Sequence, residues 1–280
     1  MVVSKKSWPL KALGIFCIVL FMIIQIYPVV WMLLSSIKDP TEFYTKPMFA
    51  LPNGFYLSNY AEAWTRGNVM RYFFNSTYIV AIVLVAISIF GSMAAFAIVK
   101  MKWRFSQAVL TLILLGIMIP VHIMMIPLFI MYSQVHILNT HFSLIIAYIA
   151  FSLPLTIYLL SASYKRLPNE VMEAAVIDGG NIMHCFTRVI LPMSKNALAT
   201  VATVLFFFNW NDLIVSMTFI SKKDLKTLQP GLFEFSGSYG AVDWGPMFAA
   251  MCIGTIPTIV LYLFLNQKVI EGMAAGAVKG

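Results

Sequence analysis

Charge is what this 280-residue sequence has least of: Asp, Glu, Lys and Arg make up 11% of it, against 60% hydrophobic residues. Soluble domains carry about 25% charged and roughly 45–50% apolar residues. With a mean hydropathy of +0.85 there are too few polar side chains to cover a water-exposed surface, which all but excludes a soluble enzyme. Cysteine is scarce too. Cys17, Cys185 and Cys252 are far apart and two of them sit in long apolar runs, so neither a disulfide framework nor a thiolate metal site is implied. No Gly-x-x-x-x-Gly-Lys-Ser/Thr phosphate loop occurs anywhere, so the chain lacks that nucleotide site. Gln25, His122, His136 and His141 are isolated polar groups without metal spacing, and no nucleophile–base set or carboxylate pair marks a catalytic centre. The formal net charge of +8 is not gathered into a basic stripe interleaved with aromatics, which excludes nucleic acid as a partner.

What the sequence has in quantity is long uncharged apolar runs. Six are long enough to cross about 30 Å of hydrocarbon at ~1.5 Å per residue: 12–37, 73–99, 108–132, 142–162, 197–220 and 247–266, with Asp212 the one formal charge inside any of them. The expected fold class is therefore all-α, a polytopic membrane protein with six transmembrane helices. The first run is too long for a signal peptide, lacks a small-residue cleavage site and contains Pro28 and Trp31, so it reads as a retained span. Prolines 28, 120, 127, 154 and 257 fall within spans, where they remove helix hydrogen bonds and introduce kinks.

Lys and Arg orient the chain. With the N-terminus inside, twelve basic residues fall on inner segments and seven on outer ones, giving net charges of +8 inside, +1 outside and −1 in the membrane. Both termini are then cytoplasmic, in a multi-pass membrane protein. The expected organisation is a cytoplasmic N-terminus at 1–11, a six-span transmembrane domain at 12–266, and a cytoplasmic tail at 267–280. Within the domain lie a long inner loop at 163–196 and long outer loops at 38–72 and 221–246.

The inner loop carries the most information. Pro168 suits the first turn of a helix, Glu170 and Glu173 complement its positive end, and Gly179 and Gly180 supply a left-handed stop. A second short helix is expected from Asn181 as cap, through Phe186 and Val189, to an end at Pro192. Val171, Met172, Ala175 and Val176 form an apolar stripe with acids opposite. Such a stripe fits a helix lying among lipid headgroups or one docking on a protein; headgroup helices usually carry Lys and Arg, so Glu170, Glu173 and Asp178 favour docking.

Here the sequence resembles a family. Glu173, Ala174 and Ala175, three residues, Gly179, nine residues, Val189, one residue, then Leu191 and Pro192 resemble the signature loop of the membrane subunits of bacterial ATP-binding cassette (ABC) importers. Val189 stands where the pattern has isoleucine, and Gly180 where the sugar branch commonly has alanine. Asn209 to Asp212, Asp243 to Gly245 and the closing run from Glu271 to Gly280 extend the likeness over essentially the whole chain. It looks most like the second permease of maltose-type and multiple-sugar-type carbohydrate importers.

The resemblance implies the type I ABC importer permease fold and a function in the bacterial cell membrane as permease subunit for a carbohydrate, an oligosaccharide foremost. The implied partners are a second homologous permease, two copies of a cytoplasmic ABC ATPase, an extracytoplasmic sugar-binding protein and the lipid bilayer. The chain would be no enzyme and bind no cofactor, ATP and Mg belonging to the ATPase. Glu173 would pair with a basic group of that ATPase, Ala174 and Ala175 would allow close packing, and Gly179 the sharp turn; Glu170, Asp178, Leu191 and Pro192 complete the coupling set. The outer loop at 221–246, with Phe235, Gly237, Ser238, Tyr239 and Gly240, would meet the binding protein, or merely cover the bundle.

Three readings of Asp212 fit: an ion-coupling carboxylate, a polar contact in the sugar path, or a structural group satisfied by neighbouring helices. With Phe207, Asn209, Trp210 and Asn211 it forms the candidate substrate pathway, where Phe206 to Phe208 and Trp210 offer an aromatic wall or ordinary packing. The competing function is a stand-alone ion-coupled secondary transporter using Asp212. Against it, no inverted repeat is evident and the signature loop would have no task.

Overall fold

A computed structural model describes residues 8–101, 103–237 and 241–277. In chain order its helices are α1 (Trp8–Ser35), α2 (Glu42–Thr45), α3 (Ser58–Thr65), α4 (Val69–Lys100), α5 (Ser106–Met118), α6 (Val121–Gln134) and α7 (His141–Tyr164). They continue as α8 (Glu170–Ile177), α9 (Ile182–His184), a π-helix (Cys185–Ile190), α10 (Leu191–Met193) and α11 (Lys195–Trp210). After α12 (Ile214–Phe219) and α13 (Leu228–Gly231) the chain ends in α14 (Trp244–Ala277). Among the described residues the one β feature is an isolated antiparallel bridge, Ser236 to Val242.

Among the described residues four helical stretches are long and apolar enough to cross a membrane: Lys11–Ser35, Val69–Lys100, His141–Tyr164 and Trp244–Phe264. Two further pairs qualify as bent spans, Ser106–Met118 with Val121–Gln134 at 94° and Ile182–Met193 with Lys195–Trp210 at 72°, which brings the total to as many as six.

The third and fifth runs therefore differ from the continuous spans expected. In the third, Pro120 does more than kink: Ile119 and Pro120 are both extended (ψ 115° and 126°) and Pro120 caps α6, because proline denies its predecessor the helical region. In the fifth, α11 has 16 residues, ~24 Å at 1.5 Å per residue, and stops at Trp210. Asn211, Asp212 and Leu213 lie between it and α12.

The chain divides into two compact units, residues up to Val69 with Leu232–Thr255, and Met70–Gly231 with the residues from Ile256 on. In the first, Phe248 gathers an aromatic cluster: Trp31 edge-on at 5.0 Å, Phe43 stacked at 5.8 Å and Trp244 stacked at 6.0 Å between ring centroids. The Asn59 amide donates to the carbonyls of Ser36 (2.9 Å) and Lys38 (2.8 Å), satisfying the frayed end of α1. Lys38 is buried, donates to Met48 O at 3.1 Å and lies over the Phe43 ring. Burial pushes its ammonium pKa down, opposed by the Glu42 carboxylate.

In the second unit, Ile79, Val83 and Ile87 of α4 meet Leu144, Ala147 and Leu160 of α7 in one buried apolar cluster. Gly91 lets α4 and α7 close together: a Cβ there would stand 2.4 Å from Thr156 Cγ2. The far end of that cluster, Tyr164, Cys185, Phe186 and Ile190, anchors the segment that follows α7 and so positions α8.

Candidate functional site

α8 is a short helix with a fully made stop. Gly180 N donates to Ala175 O at 2.8 Å and Gly179 N to Val176 O at 3.0 Å, the two reversed bonds of a Schellman ending. Gly179 takes φ +86°, a left-handed conformation that costs other L-residues roughly 1–2 kcal/mol. Gly180 is glycine for a different reason: its Cβ would come within 2.6 Å of Ala175 O. Glu170 and Glu173 lie in the first turn, where carboxylates complement the helix dipole.

The apolar stripe is narrower than expected. Met172 and Ala175 face the core cluster, whereas Val176 is 57% exposed and Ile177 84% exposed. The helix starts two residues later than Pro168 suggested, and its exposed face carries Glu173, Ala174, Val176 and Ile177. Beside it a groove of about 400 Å³ is lined by Val171, Ala174, Ala175, Asp178, Gly179, Gly180, His184 and Val189.

Asn181 caps α9, accepting from His184 N at 2.8 Å. The helical stretch that begins there runs to Met193 and breaks at Ser194, one residue beyond the end expected at Pro192. The turn ahead of Pro192 is π, with Leu191 N bonded to Phe186 O. Leu191 packs against the core cluster and Pro192 is exposed.

One residue of this region carried no sequence signal beyond its charge. Lys100, at the end of α4, is 9% exposed and donates to Leu167 O at 2.7 Å and Asn169 Oδ1 at 2.9 Å. It thereby ties α4 to the two residues flanking Pro168, just ahead of α8.

The second candidate locus is the break in the fifth run. Asp212 accepts from Tyr148 Oη at 2.8 Å, from Ser216 N at 2.9 Å and from Val215 N at 3.4 Å. Its carboxylate thus takes up free N–H groups at the start of α12, in the manner of a cap. Of the three readings this geometry fits the structural one, and Tyr148 is the partner that sequence alone did not supply.

Phe207, Asn209, Asn211 and Asp212 share a cavity of about 650 Å³ with Val121, His122, Tyr148, Phe151, Ser152 and Phe208, among others. Trp210 is not brought in: it is buried, stacked on Phe206 at 5.4 Å and edge-on to Phe73 at 5.6 Å. Asn209 bonds Leu205 O at 2.8 Å and Asn211 bonds Phe207 O at 2.9 Å, each one turn back along α11. Among the described residues no group of three or more His, Cys, Asp or Glu side chains could hold a metal ion.

The described residues of the outer segment hold 3-10 turns at Lys223–Leu225 and Leu232–Phe235 and the helix α13, and Gly237 N donates to Ala241 O at 2.7 Å. Phe235 departs from its expected docking role: it is 6% exposed, with its ring against Gly67, where a Cβ would lie 2.3 Å from Phe235 Cζ. Ser238, Tyr239 and Gly240 lie outside the described residues.

The model of the family described as "binding-protein-dependent transport system inner membrane component" matches residues 87–271, and the chain belongs to that family. It is a permease subunit of an ABC importer rather than an enzyme, and a multi-pass membrane protein. Among curated relatives, it is 31% identical over 260 residues to the diacetylchitobiose uptake system permease protein of Streptomyces coelicolor, covering 92% of this chain and 86% of that one. It is 32% identical over 261 residues to the multiple sugar-binding transport system permease protein of Streptococcus mutans, covering 92% and 93%. The fold matches that of a chain in the crystal structure of a bacterial ABC transporter involved in import of the acidic polysaccharide alginate, with TM-score 0.82 at 19% identity over 95% of this chain and 99% of that one.

Proposed function

We propose that this subunit passes a carbohydrate across the membrane, in a complex with a second permease, an extracytoplasmic binding protein and two copies of a cytoplasmic ATPase that holds ATP and Mg. The curated relatives named above are sugar permeases, and a transporter with a similar chain is known in complex with a pentasaccharide-bound periplasmic protein. The observation that carries the reading is α8: a Schellman-stopped helix presenting Glu173, Ala174 and Ile177 outward beside an open groove. With both termini in the cytoplasm, this face meets the ATPase. Glu170, Glu173 and Asp178 supply charge to it, Ala174 and Ala175 closeness, Gly179 the turn, and Leu191 and Pro192 the footing on the bundle.

On the same reading Phe207, Asn209, Asn211 and Asp212 border the path of the sugar, and the outer loop at 221–246 meets the binding protein. Asp212 serves the break that shapes the path, not an ion gradient. The test is to reconstitute the complex with its binding protein in proteoliposomes and measure ATP hydrolysis and uptake against a panel of oligosaccharides. Sugar-dependent stimulation with ATP-dependent uptake is expected; uptake on an ion gradient without ATP would overturn it. Gly179→Val should leave the chain inserted in the membrane and abolish uptake, and normal uptake by that variant would remove α8 from the coupling route.

A further inference from the structure

Side chains at the two ends of α4 hold two different segments of the same unit. At the C-terminal end the buried Lys100 ammonium grips Leu167 O and Asn169 Oδ1, immediately before α8. A buried ammonium persists only where its hydrogen bonds are made. At the N-terminal end Arg71 is ion-paired with Asp224. Asn75 Nδ2 donates to the carbonyls of Asp224 (3.0 Å) and Lys226 (2.9 Å), and Ser76 Oγ accepts from Leu228 N at 2.8 Å. The outer segment at 224–228 is therefore fastened to α4 as the start of α8 is.

Between these fastenings α4 is continuous for 32 residues, ~48 Å of helix at 1.5 Å per residue. It contains no proline, whereas α1, α6, α7 and α14 each contain one, at 28, 127, 154 and 257. Helix bends concentrate at proline, π-bulges and Gly/Ser pairs. Gly91 and Ser92 are such a pair, and they sit where Thr156 closes on Gly91 and holds the helix from the side. α4 is thus the stiff member of its unit, gripped at both ends.

We infer that Lys100 is a positioning residue that couples α8 to α4, so that displacement of α8 reaches the outer segment at 221–228 through one rigid helix. A second route leaves α8 through the π-helix into α10, α11 and α12 and also arrives at the outer segment, where Ser216 Oγ and Thr227 Oγ1 are 2.7 Å apart, and α7 holds that segment through His141 Nε2 at 2.8 Å from Leu225 O; Lys100 governs the route through α4. The inference rests on the reading of α8 as the ATPase-docking helix.

The test uses the whole importer complex in lipid nanodiscs, with Cys17 replaced by Ser because Cys17 is exposed while Cys185 and Cys252 are buried. A nitroxide on Lys222→Cys, an exposed position of the outer segment, is read by electron paramagnetic resonance with no nucleotide and after trapping with Mg-ATP and vanadate. The spectrum should change on trapping in the parent complex and with Lys100→Arg, and the change should fall about two-fold or more with Lys100→Met while ATP hydrolysis continues. Asn169→Ala removes one acceptor from an exposed position without disturbing the core, and should diminish the change; it decides the matter should the Lys100→Met chain fail to assemble. An undiminished change in Lys100→Met or Asn169→Ala, or none in the parent complex, overturns the inference. Failure of the α8 reading shows separately, as normal uptake by Gly179→Val.

Discussion

α4 and the fifth apolar run are both long, nearly uncharged and free of proline, yet one is a single helix and the other is two. α4 runs unbroken from Val69 to Lys100; the fifth run parts at 211–213 into helices of 16 and 6 residues. The difference lies in what the polar side chains need. Hydroxyls can stay on a helix because they donate back to it: Thr77 to Phe73 O at 2.8 Å and Ser92 to Ile89 O at 3.1 Å. An ionised carboxylate has no hydrogen to give and must accept. In a helix interior every N–H is already engaged, so free N–H groups exist only at a helix start. Asp212 is served by making one, and Tyr148 fills its remaining capacity. A single acid thus breaks a span where several hydroxyls leave one intact.

The comparison can be broken most forcefully from the intact side. Ile87→Pro, in the buried middle of α4, removes a hydrogen bond and clashes with the preceding turn, and should cost ~3 kcal/mol or more; thermal unfolding in detergent would show it, with loss of uptake. From the broken side, Asp212→Ala strips the cap from α12 and leaves Tyr148 Oη without its acceptor. A loss of about 2 kcal/mol is expected, and a smaller one for Asp212→Asn, which keeps an acceptor oxygen. Equal stability of Asp212→Ala and the parent would show that the break does not depend on the acid. The smallest effect tests how firmly α4 is held: Gly91→Ala forces a methyl against Thr156, costing about 1 kcal/mol. Adding Thr156→Ser, which deletes Cγ2 and keeps the hydroxyl bonded to Ser152 O, should restore most of it.

The spans that could be read from sequence are those in which apolarity and helicity coincide, α1, α4, α7 and α14. The third and fifth runs are equally apolar, and apolarity says nothing about where a helix is interrupted. Pro120 was visible but counted as one kink among five; Pro127, Pro154 and Pro257 remain inside helices. What sets Pro120 apart is the extended backbone of Ile119 before it. The glycine stop of α8 was legible because a positive φ leaves a residue-type trace, as Gly179 does. Lys100 left no such trace, since its partners are a carbonyl and an amide 67 and 69 residues further on. Phe235 looked available because aromatics in loops often are, and only the facing Gly67 reveals that its ring is spoken for.

The π turn at Cys185–Ile190 has a consequence for how this segment tolerates change. It holds one residue more than an α-helix would place between the same ends, and its Leu191–Phe186 hydrogen bond spans that surplus. Removing any one residue from 185–190 lets the turn relax to α geometry, which is locally favourable. The ends stay in phase, so α8 keeps its aim, whereas the same one-codon deletion in a regular helix such as α11 would turn everything on one side of it by roughly 100° about the axis, the angle of one residue at 3.6 per turn. The segment just after α8 can therefore shed a residue without re-aiming the helix that precedes it.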